Sequence, residues 1–471
     1  MIELQVSHPK KRSGALQANA RREETVAEIH LSAAEARLEN QTVGGLQLRV
    51  ALICTLIQMC DGYDVGSIGW AVPSLTHVWH VAPPAFGLAF LFSNIGIMVG
   101  ALIVGPIGDR FGRKPLLLGS VAIFGVASLL SAYAPSLDVL AGLRFFTGLG
   151  LAGGFAGSTA LTGDYAPKRL RATLILVSFT GAPLGSFLGG QIVALLLHLG
   201  FGWQSIFYLG GGFPLVLLAV MAVGLPESPR HLAAKAKLTG RHLALLTRLG
   251  LEPGSADTLS IGAVRVNPIR ALFAEGYALQ TVLLWIIFFC GLIDLYLFLF
   301  WLPEVLHLIG MTPAQAVFAT SLHALGGVVA VFYLGFAIDR WGAERALSLH
   351  FALGIVFISL IALVSLPYLA LLAVAFMSGL TIIGSQTAAN ATCGALYPAH
   401  VRTSAIGSAL GIGRLGGIAA APLGAFLLSR GLPPTHVFLS GCFFAAIAAI
   451  ATVALGLCHP RVAVSRSPIA S

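Results

Sequence analysis

"GPIGDRFGRKPLLL", Gly105 to Leu118, and "GFAIDRWGAERALS", Gly335 to Ser348, lie 230 residues apart and agree at Gly105/Gly335, Asp109/Asp339, Arg110/Arg340 and Gly112/Gly342. In the same register "CDGYD" at Cys60 falls on "CGLID" at Cys290, which sets Asp64 against Asp294, and Pro73 falls on Pro303. One such match is weak. Several in a single register mark an internal duplication of a unit with fixed order and direction.

Composition says what is duplicated. Of 471 residues, 57% are hydrophobic and only 10% charged, whereas soluble domains carry about 25% charged residues. A membrane span needs about 20 apolar residues, and the sequence supplies such runs near 47–76, 85–107, 115–133, 137–163, 171–198 and 203–224. A polar stretch, 225–277, is followed by six more runs near 278–300, 313–338, 345–365, 367–394, 403–429 and 434–457. The expectation is an all-α membrane protein of twelve transmembrane helices in two six-helix, pseudo-repeated bundles, 47–224 and 278–458. Tails 1–46 and 459–471 and the central loop 225–277 complete the chain. No apolar run begins before about Leu46, so a cleavable leader is not expected.

Charge sets the orientation. Lys10, Lys11, Arg12, Arg110, Arg113, Lys114, Lys168, Arg169, Arg171, Arg340, Arg345 and Arg402, with the basic residues of 225–277, all fall on one side; Arg430 stands apart on the other. From this bias both termini are expected in the cytoplasm, and the membrane is expected to be the plasma (bacterial inner) membrane. The net charge of +9 is then topological, and no nucleic-acid partner is expected. The six cysteines have no metal-site or staple spacing. No nucleophile, base and orienting group form a catalytic set, so an enzyme is not expected, nor a metal or organic cofactor. Parallel six-helix repeats suit a carrier with its site between the halves, acting as a monomer with the bilayer as its surroundings.

Particular motifs carry a family resemblance. "GDRFGRKP", Gly108 to Pro115, resembles the loop signature of the major facilitator superfamily. "DGYD" in span one, "RFFTGLGLAGG" in span four, "LPESPR" after span six and "YPAHVRTSAIGSALGIGRLGG" into span eleven resemble the aromatic acid:proton symporter family. The resemblance implies proton-coupled uptake of a benzoate- or hydroxybenzoate-like acid by alternating access, the proton being the coupling ion. The chain departs from that family in span four, in Asp164 where glutamate is common, and in Glu304. Another small metabolite, drug export or a transport-derived sensor are the other readings.

Charges inside the spans need a reason, because intramembrane ionisable residues are costly and mark functional sites. Asp61 and Asp64 are three residues apart and share roughly one helix face, with Asp61 roughly 20 Å from the inner surface. They are expected to titrate as one coupled unit and to carry the proton, together with Asp294. The duplication retains an acid opposite Asp64 but puts Gly291 opposite Asp61, which favours Asp64 as carrier. Arg144 and Arg414 are the candidates for the substrate carboxylate, since a planar guanidinium fork suits it; for Arg144 an ion pair tying spans one and four is the structural alternative. Gln386 and Asn390 are candidates for a ring substituent. His323 and His350 read as packed structural histidines, and the aromatics of span seven (Phe289, Tyr296, Phe298, Phe300, Trp301) as lipid-facing or interfacial. Asp109, Arg110, Arg113, Asp164, Arg169, Asp339 and Arg340 are expected to form a cytoplasmic gate that breaks when that side opens.

Overall fold

The computed structural model describes residues 44–233, 240, 242–243, 272–273, 277–397 and 399–458. The regular structure among them is helical. Twelve long helices follow in order: α1 (Gly45–Trp79), α2 (Gly87–Phe111), α3 (Arg113–Ser131), α4 (Leu137–Tyr165), α5 in two segments (Arg171–Phe179 and Gly181–His198) and α6 (Gln204–Gly224). The second half holds α7 (Ala278–Leu308), α8 (Pro313–Trp341), α9 (Ala343–Leu363), α10 (Tyr368–Leu396), α11 (Ala399–Ser429) and α12 (His436–Cys458). Eleven of these are long and apolar enough to cross a membrane. The other is α1, whose 35 residues include Gln47, Arg49, Gln58, Asp61 and Asp64. The chain is therefore an integral, multi-pass membrane protein.

Local chemistry sets the boundaries. The α2–α3 and α8–α9 turns are each a single glycine at positive φ, Gly112 at 107° and Gly342 at 87°, a backbone that a side chain would strain. Thr312 caps α8 by accepting from Gln315 N while the Gln315 side chain accepts from Thr312 N, with Pro313 at the first helical position. Pro183 lacks the N–H that would bond the Phe179 carbonyl, and α5 breaks there. The seventh span runs to Leu308, past Pro303, eight residues beyond its hydropathy limit.

Within each half, helices pack where a side chain is missing. A Cβ at Gly96 or Gly148 would collide with the Phe145 or Ser93 carbonyl across the α2/α4 seam. Gly326 and Gly379 meet the Phe376 and His323 carbonyls across α8/α10 in the same way, and Gly185–Met59 of α1/α5 repeats as Gly416–Phe289 of α7/α11. The duplication read from sequence is thus a duplication of packing, with small residues allowing backbones to touch. Contacts between the halves lie at mid-depth and toward the face away from the chain ends: Gly69 under Leu299 and Phe300, Gly87 against Ala425, Phe90 stacked on Phe300 at 4.5 Å. Gln191 Nε2 also donates to Ser321 Oγ at 2.7 Å. The halves are closed at that face.

Candidate functional site

Asp64 sits at the centre of the first half and is 2% exposed. Arg144 of α4 reaches it with both terminal nitrogens, Nη1 to Oδ2 at 3.2 Å and Nη2 to Oδ1 at 3.3 Å. Ser128 of α3 donates to Oδ1 at 2.8 Å. The guanidinium also donates to Ser67 Oγ and Thr147 Oγ1 and lies over the Phe207 ring at 5.4 Å. Taking two charges out of water is repaid only by geometry of this quality. The pair ties α1 to α4, and Arg144, at 1% exposure, has no face left for a substrate in this conformation. The expected capture of substrate between Arg144 and Arg414 is not what this arrangement presents. Beside the pair is a cavity of about 10 Å³ lined by Asp64, Ser93, Asn94, Leu151 and others, with Phe300 of the second half among its walls. It has room for about one water.

Asp61, one turn earlier on α1, is only half-buried. It lies within electrostatic range of Arg414 on α11 of the other half, yet among the described residues the two make no direct ion pair. Arg414 Nη1 donates to Tyr296 OH of α7 at 2.8 Å, which orients the fork; its remaining donors make no other hydrogen bond among the described residues. An anion is what such a fork binds.

Asp294 is in the position of Asp64 in the repeat, and its surroundings differ. It is 2% exposed, its Oδ1 has no hydrogen-bond partner, and it faces Gly441 of α12. The repeated glycine seam places Ala375 where the first half has Arg144, and Ile358 lies 230 residues after Ser128. Gln386 turns its buried, unpartnered Oε1 toward Gly291, the position equivalent to Asp61, whereas Asn390 Nδ2 donates to the Gln386 carbonyl on its own helix at 3.0 Å. His323 bonds Ser378 Oγ at 2.9 Å and stacks on Phe298; His350 bonds the Ala346 carbonyl and Tyr333 OH. Tyr296, Phe298, Phe300 and Trp301 are buried, so the lipid-facing reading is corrected for these four, whereas Phe289 is half-buried. The four are buried because α7 lies between α11, α12 and α1, not at the rim.

At the chain-end face, Asp109 pairs with Arg113 on its own turn at 3.0 Å and is largely exposed. Arg110 lies over Phe111 and Arg340 over Phe336; Arg169 is exposed. Asp164 accepts from Ser228 Oγ at 2.7 Å; the side chain of Asp339 lies outside the described residues. Among the described residues, no ion pair joins the two halves here. The residue missed in sequence is Glu227 of "LPESPR". Its Oε1 accepts from the backbone N–H groups of Arg113 and Lys114 at 2.8 and 3.1 Å, a carboxylate on the N-terminus of α3. Tyr165 OH donates to its carbonyl at 2.7 Å. Ser128 and Thr147 were missed too; Thr147, three residues after Arg144, was findable from helical spacing.

Comparison with known proteins shows the family. The family model described as Major Facilitator Superfamily matches residues 54–421 and 284–470. The chain is 35% identical to a 4-hydroxybenzoate transporter of Pseudomonas putida over 426 residues, 89% of this chain and 95% of the relative. It is 35% identical to a gallate transporter of the same organism, covering 90% and 94%, and 29% identical to a benzoate transport protein of Acinetobacter baylyi, covering 83% and 86%. Among solved structures, a partially occluded inward-open form of the xylose transporter of E. coli superposes with a TM-score of 0.69 at 16% identity, covering 89% of this chain and 99% of that one.

Proposed function

The chain belongs to the major facilitator superfamily, and from that premise we propose that it takes up a small aromatic carboxylate of the benzoate or hydroxybenzoate class together with protons. The reading rests on one observation above the rest: Asp61 and Arg414, from opposite halves, lie within electrostatic range of each other and make no ion pair among the described residues. A substrate carboxylate and Asp61 compete for the same cation. With Asp61 protonated, the free donors of Arg414 take the substrate anion and Tyr296 holds the fork in place. When Asp61 gives up its proton on the other side, its charge displaces the cargo. Asp64, held by Arg144 and Ser128, is the coupled neighbour that keeps α1 tied to α4 and feels the charge at Asp61; Asp294 is a further proton site in the second half. Gln386 is the acceptor for a ring hydroxyl, and Asn390 supports it.

The chain-end face is the cytoplasmic one in this proposal, and the protein resides in the bacterial inner membrane. The closed opposite face then makes this an inward-facing state, with Asp109, Arg110, Arg113, Asp164, Arg169, Asp339 and Arg340 available to close the inner side. An incoming monoanion works against the membrane potential by about 2.3 kcal/mol per 100 mV; one proton cancels that charge and a second adds the potential as a driving force. The test is uptake of radiolabelled 4-hydroxybenzoate in reconstituted vesicles under an imposed pH gradient, acid outside. Gradient-dependent accumulation is expected, lost in Asp61→Asn; accumulation indifferent to the gradient, or a transport substrate that is not a carboxylate, overturns the proposal.

A further inference from the structure

Two histidines meet where the halves close. His77, in the last turn of α1, and His307, in the last turn of α7, are 230 residues apart and so are each other's counterpart in the duplication. Their Nε2 atoms are 3.1 Å apart, with the rings edge to face at 5.4 Å, and the contact is exposed to solvent. The Nδ1 of His307 is 2.7 Å from the Met311 carbonyl, which can only accept. That fixes the tautomer: His307 carries its proton on Nδ1, its Nε2 is the lone-pair acceptor, and His77 Nε2–H is the donor. This bond and Gln191–Ser321 are the side-chain hydrogen bonds that cross between the halves among the described residues.

We propose that the His77–His307 pair is a proton-binding site separate from the buried acids, and that its ligand is a proton from the outer solution. The bond needs one facing nitrogen without a proton. A first proton goes to the lone pair of His77 Nδ1, which makes no hydrogen bond among the described residues, and leaves the Nε2–H donor in place. A second, taken up at His307 Nε2, removes the acceptor, sets two N–H groups head to head and brings two positive rings into contact. Imidazole is the side chain that ordinary physiological acid can reach. Acid outside therefore breaks a contact that holds the outer face shut and shifts the population toward the outward-open state. The sidedness rests on the orientation given under Proposed function; the pairing itself does not. Other titratable or charged groups at this end of the helices packed around the pair are His80, Asp138, His198, Glu304, Arg430 and His436. None of them makes a hydrogen bond or ion pair with either histidine among the described residues, so each imidazole has the other as its polar side-chain partner.

The gating role is separable from transport by measuring distance. Spin labels on Leu199→Cys, at the outer end of α5, and Leu369→Cys, at the start of α10, report one half each; both residues are well exposed, and the exposed Cys458 is replaced by Ser. In reconstituted full-length protein, lowering pH from about 8 to about 5 is expected to shift the label–label distances toward the longer, open population. His77→Gln/His307→Gln keeps a donor and an acceptor that do not titrate, and is expected to abolish that shift. His77→Gln alone gives a strongly reduced shift and serves if the double variant does not insert. A shift of the same size in the variants, or none in the native pair, overturns the inference. The readout uses no substrate, so it stands apart from a failure to take up 4-hydroxybenzoate, which would sink the proposed function instead.

Discussion

Asp64 and Asp294 began as one residue in a duplicated unit, and their present surroundings have little in common. The first is clasped by a two-pronged arginine and a serine. The second is buried as deeply with an oxygen that bonds nothing, because alanine and isoleucine stand where its partners would be. An ionised carboxylate is tolerable in the first setting and costly in the second. The comparison teaches that the halves share a scaffold, not a mechanism. The first half stores a charge pair, while the second contributes its cation, Arg414, to the seam.

The largest effect expected from breaking this asymmetry is on stability. Arg144→Ala leaves the Asp64 carboxylate buried without its cation, with Ser128 as its remaining side-chain donor, and should cost about 3–5 kcal/mol, seen as a steep fall in the thermal unfolding midpoint in detergent. Asp294→Asn removes no partner and should leave that midpoint nearly unchanged; equal losses for the two variants would erase the distinction. Next comes the seam. With radiolabelled 4-hydroxybenzoate as cargo, Arg414→Gln should lower kcat/KM on the order of 100-fold, the loss of about 2–3 kcal/mol of charge-assisted bonding. Arg414→Lys should not restore it, because a point charge cannot replace the fork. Smaller again, Asp61→Asn should retain counterflow of labelled substrate within about tenfold while losing gradient-driven accumulation; a defect of equal size in both assays would make Asp61 a structural residue. The mildest is Tyr296→Phe, which removes one hydrogen bond worth about 1 kcal/mol and should raise KM about fivefold with kcat little changed.

The spans and the duplication were legible because hydropathy and repeated motifs are carried residue by residue along the chain. Partner choice was not. Asp61 and Asp64 differ by three residues, and a small rotation about the α1 axis is enough to send one to α4 and the other to α11. Glu227 was invisible as a site because its role depends on where "LPESPR" folds back onto the α2–α3 turn. Tyr296 was read as a membrane-facing ring because nothing in an aromatic run says which side of α7 is covered.

The glycine seams have a consequence for speed. Helices whose backbones touch cannot bend past one another cheaply, so each bundle travels as a solid body and the strip between them takes up all the displacement. The tempo of a turnover is then governed by a few side chains in that strip, among them Phe90, Gln191, Phe300 and Ser321. A swift or a sluggish version of the same protein should therefore be separated by a handful of substitutions, with the twelve-helix frame left as it is.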